Sequence, residues 1–308
     1  NFKKVYETIK NIQDFYKGGI NEWKMLGCFT QHELKALASY SLAQAEKILN
    51  KCQALRHDII CLNDKKYPNR LKNICNPPAV IYVDGKIPDI DNLLSIAIVG
   101  TRSATKYGVD IAFDFGFKLA KANVVVVSGG AIGVDCSSQK GALAARGQVV
   151  SVLGCGIDNK YLMENKSLRD TIAKNGAVIS EYPPGTKSDR WNFPMRNRII
   201  SGLSLGTLVV EAGQKSGSLI TANLCLEQNR DLFAVPGSLD SSVSKGTNNL
   251  IKECAKPVTC VEDILEEYIL NYPNLITQDM INKKEVSTYN VDKKDIYENK
   301  ISKGIEKL

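Results

Sequence analysis

Six short apolar runs, at 96–99, 124–127, 149–153, 177–180, 207–210 and 232–235, punctuate the middle of this chain, and stretches of helical periodicity separate them. The runs are rich in Val and Ile and barely alternate with polar residues; 124–127 is four valines in a row. A strand reads this way when both of its faces are buried, and strands joined by helices can lie parallel in one covered sheet. The helix candidates are 108–122, 135–146, 165–174, 196–201, 218–228 and 247–253. The pattern predicts an α/β fold: a doubly wound, mostly parallel sheet over 95–270.

Two segments precede that block and one follows it. From 1 to 57 the periodicity is helical, with Ile9, Ile12, Phe15 and Tyr16, then Leu34, Leu37, Leu42, Ala45 and Leu49. Gly18 and Gly19 interrupt it, and Thr30 stands as an N-cap before His32 and Glu33. This is a small all-α domain of the SAM or helix-hairpin-helix kind. Such a domain can hold DNA, but packing or partner binding is the simpler reading. Residues 58–94 form an extended connector, because Pro77 and Pro78 forbid helix; 79–83 reads as a strand ending in a turn at Asp84 and Gly85. The tail, 271–308, is rich in Lys and Asn with few apolar residues, and is expected to be poorly ordered.

Bulk properties exclude several classes. A net charge of +7 and a pI near 8.8 suit a polyanionic partner without requiring one. Nine cysteines occur with no C-x-x-C pair, and only His32 and His57 could join them as ligands, so no metal site is expected. Reduced thiols are the simplest state. With no basic-then-apolar leader and no apolar run long enough to span a bilayer, a soluble cytoplasmic protein is expected, with no membrane partner.

Ligands of a doubly wound sheet bind beyond the carboxyl ends of its strands. The turns there are chemically unusual. Residues 100–108 read Gly-Thr-Arg-Ser-Ala-Thr-Lys-Tyr-Gly, 128–135 read Ser-Gly-Gly-Ala-Ile-Gly-Val-Asp, and 211–221 read Glu-Ala-Gly-Gln-Lys-Ser-Gly-Ser-Leu-Ile-Thr. Glycine lets a ligand approach the backbone, and free N–H groups at a helix start favour an anion. The phosphate-binding candidates are therefore Gly100, Thr101, Ser103, Ser128, Gly129, Gly130, Gly217 and Ser218. No G-x-G-x-x-G fingerprint and no P-loop is present, so no dinucleotide or other cofactor is expected.

The stretch 183–198, Pro-Pro-Gly-Thr-Lys-Ser-Asp-Arg-Trp-Asn-Phe-Pro-Met-Arg-Asn-Arg, sets Arg190, Arg196 and Arg198 around Trp191 and Phe193. Guanidinium groups meet phosphates and ring faces meet unstacked bases, which is what a single strand requires. Phe193 reads as a stacking platform; Trp191 reads equally well as a core anchor.

These segments resemble the DNA-processing protein DprA family, also called Smf. The resemblance rests on 100–102, 128–135, Ser-Glu-Tyr-Pro at 180–183, 193–202, Val-Glu-Ala at 210–212, 216–222, Val-Pro-Gly at 235–237, Gly-Thr-Asn at 246–248 and Tyr-Pro-Asn-Arg-Leu at 67–71. It implies a Rossmann-like core that binds single-stranded DNA, forms a homodimer and loads RecA recombinase during natural transformation. It implies further that Arg102 contacts phosphate, that Arg190 and Phe193 are the basic and stacking positions, and that Lys245 and Asn248 add contacts. Two departures stand out: Thr101 replaces the commoner serine, and the tail is shorter than the family's winged helix, which suggests a remnant.

Two other functions compete. A phosphoribohydrolase of the lysine-decarboxylase-like type would need a P-G-G-x-G-T-x-x-E loop, which the segment after 210 lacks. Asp135 and Glu211 are the obvious loop carboxylates, and they read as turn or capping groups rather than general acids. No catalytic residue is therefore assigned. A nucleotide sensor would not need so long a basic and aromatic lip.

Overall fold

The computed structural model describes residues 12–159 and 166–276. Nine strands make one sheet in the order β1-β2-β6-β5-β4-β3-β7-β8-β9. The six expected runs are β3 (Ser95–Val99), β4 (Val125–Ser128), β5 (Val149–Leu153), β6 (Gly176–Ser180), β7 (Gly206–Val209) and β8 (Asp231–Ala234). Five of them are buried along their whole length, and β8 is buried beyond its first residue. All six run parallel, as does the short β9 (Lys256–Pro257) beside β8. Because β3 lies between β4 and β7, strand order reverses there, and the turns leaving these strands diverge around a crevice.

The connector is more than an extended strap. Its strands β1 (Asp58–Cys61) and β2 (Val80–Gly85) add to the sheet antiparallel, β2 pairing with β6. The alternation of Asp58–Cys61 is too short to announce a strand, and Gly85 continues β2 rather than closing a turn. Between them, α4 (Asn69–Lys72) is capped by the Asp91 carboxylate, which accepts from the Asn69 and Arg70 amides. The Tyr67 hydroxyl donates to the Pro78 carbonyl at 2.7 Å.

The crossover helices are α5 (Lys106–Lys121), α6 (Val134–Ala144), α7 (Lys166–Asn175), α8 (Asn192–Gly202), α9 (Gly217–Glu227) and α10 (Lys245–Glu253). Residue 165, the expected start of α7, lies outside the described residues. Helices α5 and α6 touch backbone to backbone. A Cβ on Gly116 would stand 2.1 Å from the Ser138 carbonyl oxygen, and one on Gly141 2.1 Å from that of Phe113.

The amino-terminal segment is helical as expected: α1 (Ile12–Met25), α2 (Gln31–Ser39) and α3 (Leu42–Leu55). Ile9 falls outside the described residues. Thr30 and Glu33 form a capping box on α2, and Ser41 and Gln44 form one on α3. Buried Trp23 stacks on Phe15 and donates to the Phe15 carbonyl.

The chain divides into two compact units, Asn1–Val261 and Glu262–Leu308. The second begins with α11 (Glu262–Leu265) and a 3-10 turn, Glu266–Tyr268; the Tyr268 and Tyr272 rings meet edge to face. The expected winged-helix remnant lies largely outside the described residues. Among those described, no helix is long and apolar enough to cross a membrane.

Candidate functional site

At the crevice the turns after β3, β4 and β7 meet the start of α8 around a groove of 640 Å3. Gly100, Thr101 and Arg102 line it from the first turn, Ala131 and Asp135 from the second, and Gly217, Ser218 and Thr221 from the third. Gly133 joins two of these turns. Its φ is +84°, a region that favours glycine, and a Cβ there would stand 2.5 Å from the Thr101 carbonyl oxygen. At the mouth of α9 a Cβ on Gly217 would meet nothing within 4 Å, so the surface is open to a ligand.

The three helix starts are not equivalent anion sites. The start of α5 already holds an anion: the buried Glu211 carboxylate accepts from the Thr105 amide (2.9 Å) and the Thr105 hydroxyl (2.6 Å). What the first turn offers the groove is instead its glycine, its threonine and Arg102.

Helix α8 starts well before the expected 196, so Phe193 and Pro194 occupy its first turn, where proline is tolerated. Helical spacing then sets Arg196 and Asn197 on the Phe193 side and turns Arg198 away. Phe193, Arg196 and Asn197 all line the groove. The half-buried Phe193 ring packs on Gly154, where a Cβ would come within 2.8 Å of it. The exposed Arg102 guanidinium lies 5.2 Å from the Phe193 ring centroid, and that of Arg196 5.9 Å. Arg190 also lines the groove, its guanidinium 4.9 Å from the Trp191 ring centre. Trp191 is 68% exposed, so it is no core anchor.

The arginines split into two kinds. Arg196 is 5% exposed and donates to the carbonyls of Gly129 (2.8 Å) and Val152, tying β4 to β5. Arg198 is 7% exposed, makes a two-pronged ion pair with Glu181 (2.6 and 2.8 Å), and donates to the Asn76 and Met195 carbonyls. Arg102 and Arg190 are exposed. Arg196 forms part of the groove floor, and Arg198 does not reach the groove.

Beside Arg196 lies Asp135, whose carboxylate accepts from the Gly129 amide (3.1 Å) and the Ala131 amide (3.4 Å). Burial pushes its pKa up to about 6, against the pull of Arg196, the two amides and Arg102.

Other expected residues serve elsewhere. Ser128 is fully buried and donates to the Ile98 carbonyl. Asn248 closes both amide atoms on Gly237, accepting from its N–H and donating to its carbonyl. Lys245 is exposed at the start of α10 and lines no part of the groove. Ser103 is exposed, its hydroxyl 3.2 Å from that of Thr101. Gly129 is wedged between Arg196 and Asp135, and Gly130, at φ +67°, turns the chain after them. Asn197, Ser216 and Ile220 also line the groove; the register of α8 and α9 sets Asn197 and Ile220 there, and Ser216 is the N-cap of α9 within the 211–221 turn.

The lip is held from below. The Asp158 carboxylate accepts from the Gly185 amide (2.7 Å) and pairs with Lys51 of α3 (2.6 Å). The Thr186 carbonyl accepts from the Gly156 amide and the Asn159 side chain.

Residues 58–269 match the family model described as DNA recombination-mediator protein A. Among curated relatives, DNA processing protein DprA of Bacillus subtilis is 44% identical over 208 residues, covering 68% of this chain and 70% of its own length. That of Streptococcus pneumoniae is 38% identical over 205 residues, covering 67% and 72%. The solved S. pneumoniae protein superposes with a TM-score of 0.71 at 34% identity, over 79% of this chain and 84% of that one. A Helicobacter pylori structure, reported for the single-stranded DNA binding mode of its DNA processing protein A, gives 0.63 at 30% identity, over 70% and 97%.

Proposed function

Because the chain belongs to the DNA recombination-mediator protein A family, we propose that the groove between the turns after β3, β4 and β7 binds single-stranded DNA. The observation that carries this reading is Arg102 stacked over the groove-lining Phe193, beside the exposed Arg190 and Trp191. An entering base displaces the Arg102 guanidinium from the ring, and the freed cation meets the adjoining phosphate. Gly100, Thr101, Gly217 and Ser218, which line the groove, approach the backbone of the strand, with Arg190 along the lip. Gly129, Ser128, Arg196 and Arg198 hold the frame, while Lys245 adds charge beyond the groove.

The same reading takes the chain as a cytoplasmic homodimer that protects incoming single strands and hands them to RecA recombinase during natural transformation. The helical segment 1–57 is its packing or partner module, 58–94 completes the sheet edge, and 95–270 is the DNA-binding core. Turnover is not part of this function, and the capping role of Glu211 at Thr105 supports that view. Purified protein is expected to release no free base from nucleoside monophosphates; release abolished by Glu211→Ala would favour a hydrolase instead.

Labelled oligothymidylate set against a duplex of equal length across a salt series tests the proposal. Strong preference for the single strand, weakening as salt rises, is expected from counterion release. Equal affinity for blunt duplex, or indifference to salt, would refute it.

A further inference from the structure

On the other side of the Gly100 to Thr105 turn lies a second cavity, of 520 Å3, with the opposite chemistry. Its lining includes Thr105, Tyr107, Glu211, Ser238, Ser241 and Ser244, and contains no lysine or arginine. Glu211 is 2% exposed, and each of its oxygens keeps a lone pair beyond the bond from Thr105. Ser244 is 5% exposed and lines the cavity, its backbone carbonyl accepting from the Thr247 hydroxyl. Tyr107 is half exposed and supplies a ring at the cavity. Asn248 fixes the Gly237 wall by accepting from the Gly237 N–H and donating to its carbonyl.

A phosphate would face the Glu211 carboxylate with no cation to offset it, and a single carboxylate is a poor cage for a metal ion. A flat, neutral ring that carries hydrogen-bond donors fits: Tyr107 gives it a face, Glu211 an acceptor, and Ser244 a hydroxyl of either sense. The cavity shares the turn with the groove, since the Thr101 amide donates to the Glu211 carbonyl while Thr101 itself lines the groove.

We infer that this cavity is a nucleobase pocket, which takes one base of a strand held in the groove and selects bases bearing an exocyclic amino group. The inference rests on the reading of the groove as a single-strand site. Cytosine and adenine present an amine to Glu211. Thymine offers a ring N–H flanked by two carbonyls, which the carboxylate repels, so it stays outside.

The test compares oligothymidylate with a strand of equal length in which alternate thymines are cytosines. Wild type is expected to bind the cytosine-bearing strand about tenfold tighter, the factor one hydrogen bond to a charged group supplies. Ser238→Trp, at an exposed position on the rim, fills the cavity and is expected to bring the ratio to one while oligothymidylate binding persists. Should that variant not fold, Tyr107→Ala serves in its place, with the ratio falling likewise. Equal affinities in wild type overturn the pocket alone, as does a ratio that survives both variants. Failure of wild type to bind either strand overturns the groove reading and the pocket with it.

Discussion

Both halves of the segment from Ser188 to Gly202 carry arginine, and they do opposite things with it. In the first half, Arg190 and Trp191 stand in solvent with guanidinium over indole, and Phe193 is half covered. In the second, Arg196 and Arg198 are buried and committed to backbone carbonyls and to Glu181. A guanidinium already satisfied by protein acceptors gains little from a phosphate, whereas an exposed one resting on a ring exchanges a weak contact for a strong one. The count of arginines in a basic stretch therefore overstates the number that meet a ligand.

The largest effect expected from this contrast is on stability. Arg198→Ala leaves the partly exposed Glu181 without its partner and should cost about 3 kcal/mol, the low end for breaking a buried pair. Denaturant melts check this, and the surviving folded protein should bind oligothymidylate as wild type does. Stability intact with binding lost would reverse the roles of the two halves.

Next come the groove residues. Phe193→Ala should weaken binding by about 1–3 kcal/mol, the value of one base stack, with the salt slope nearly unchanged. Arg102→Ala should cost about as much, the range for a hydrogen bond to a charged group. Titrations at several salt concentrations measure both. A Phe193→Ala protein that melts early yet binds normally would make the ring a packing residue on Gly154.

Arg190→Ala should act more gently, lowering affinity and reducing the slope of log affinity against log salt by about 0.7, one single-strand contact. An unchanged slope would place Arg190 outside the phosphate path, with its contact to the Trp191 ring as its role.

The smallest effect concerns Asp135. Its raised pKa of about 6 means that the fold favours the protonated carboxyl. The associated stability is complete below the unfolded value near 4 and is lost as pH rises through 6. Phosphates entering the groove add negative charge and favour the proton further, so binding should tighten as pH falls through 6, by no more than about one decade per pH unit. Asp135→Asn should flatten the profile; a dependence that persists would assign it to another group.

Much of this molecule can be read from the chain. The apolar runs of β3 to β8 mark their own strands, because burial on both faces leaves no polar positions, and Thr30 announces α2 through its capping box. The turns that build the groove are visible for the same local reason: glycine and hydroxyl residues stand where each strand gives way to a helix. The edge strand β1 is harder to see, whereas 79–83 already reads as the strand that becomes β2. Four residues at Asp58–Cys61 carry too little periodicity, and the place of β2 in the sheet depends on its pairing with β6, far along the chain.

Residue type and short-range spacing thus settled the α/β class, the sheet's parallel core and the glycine and hydroxyl turns that line the groove. Folding in space settled which of those groups face the groove. Arg102 comes to lie over Phe193, some ninety positions away, because β3 and α8 converge on the same crevice. Glu211 fills the start of α5 because β7 lies beside β3, and Arg198 is withdrawn by Glu181 and Asn76. The direction of a side chain depends on what packs beside it, and here those neighbours come from distant parts of the chain, brought together by the order of strands in the sheet.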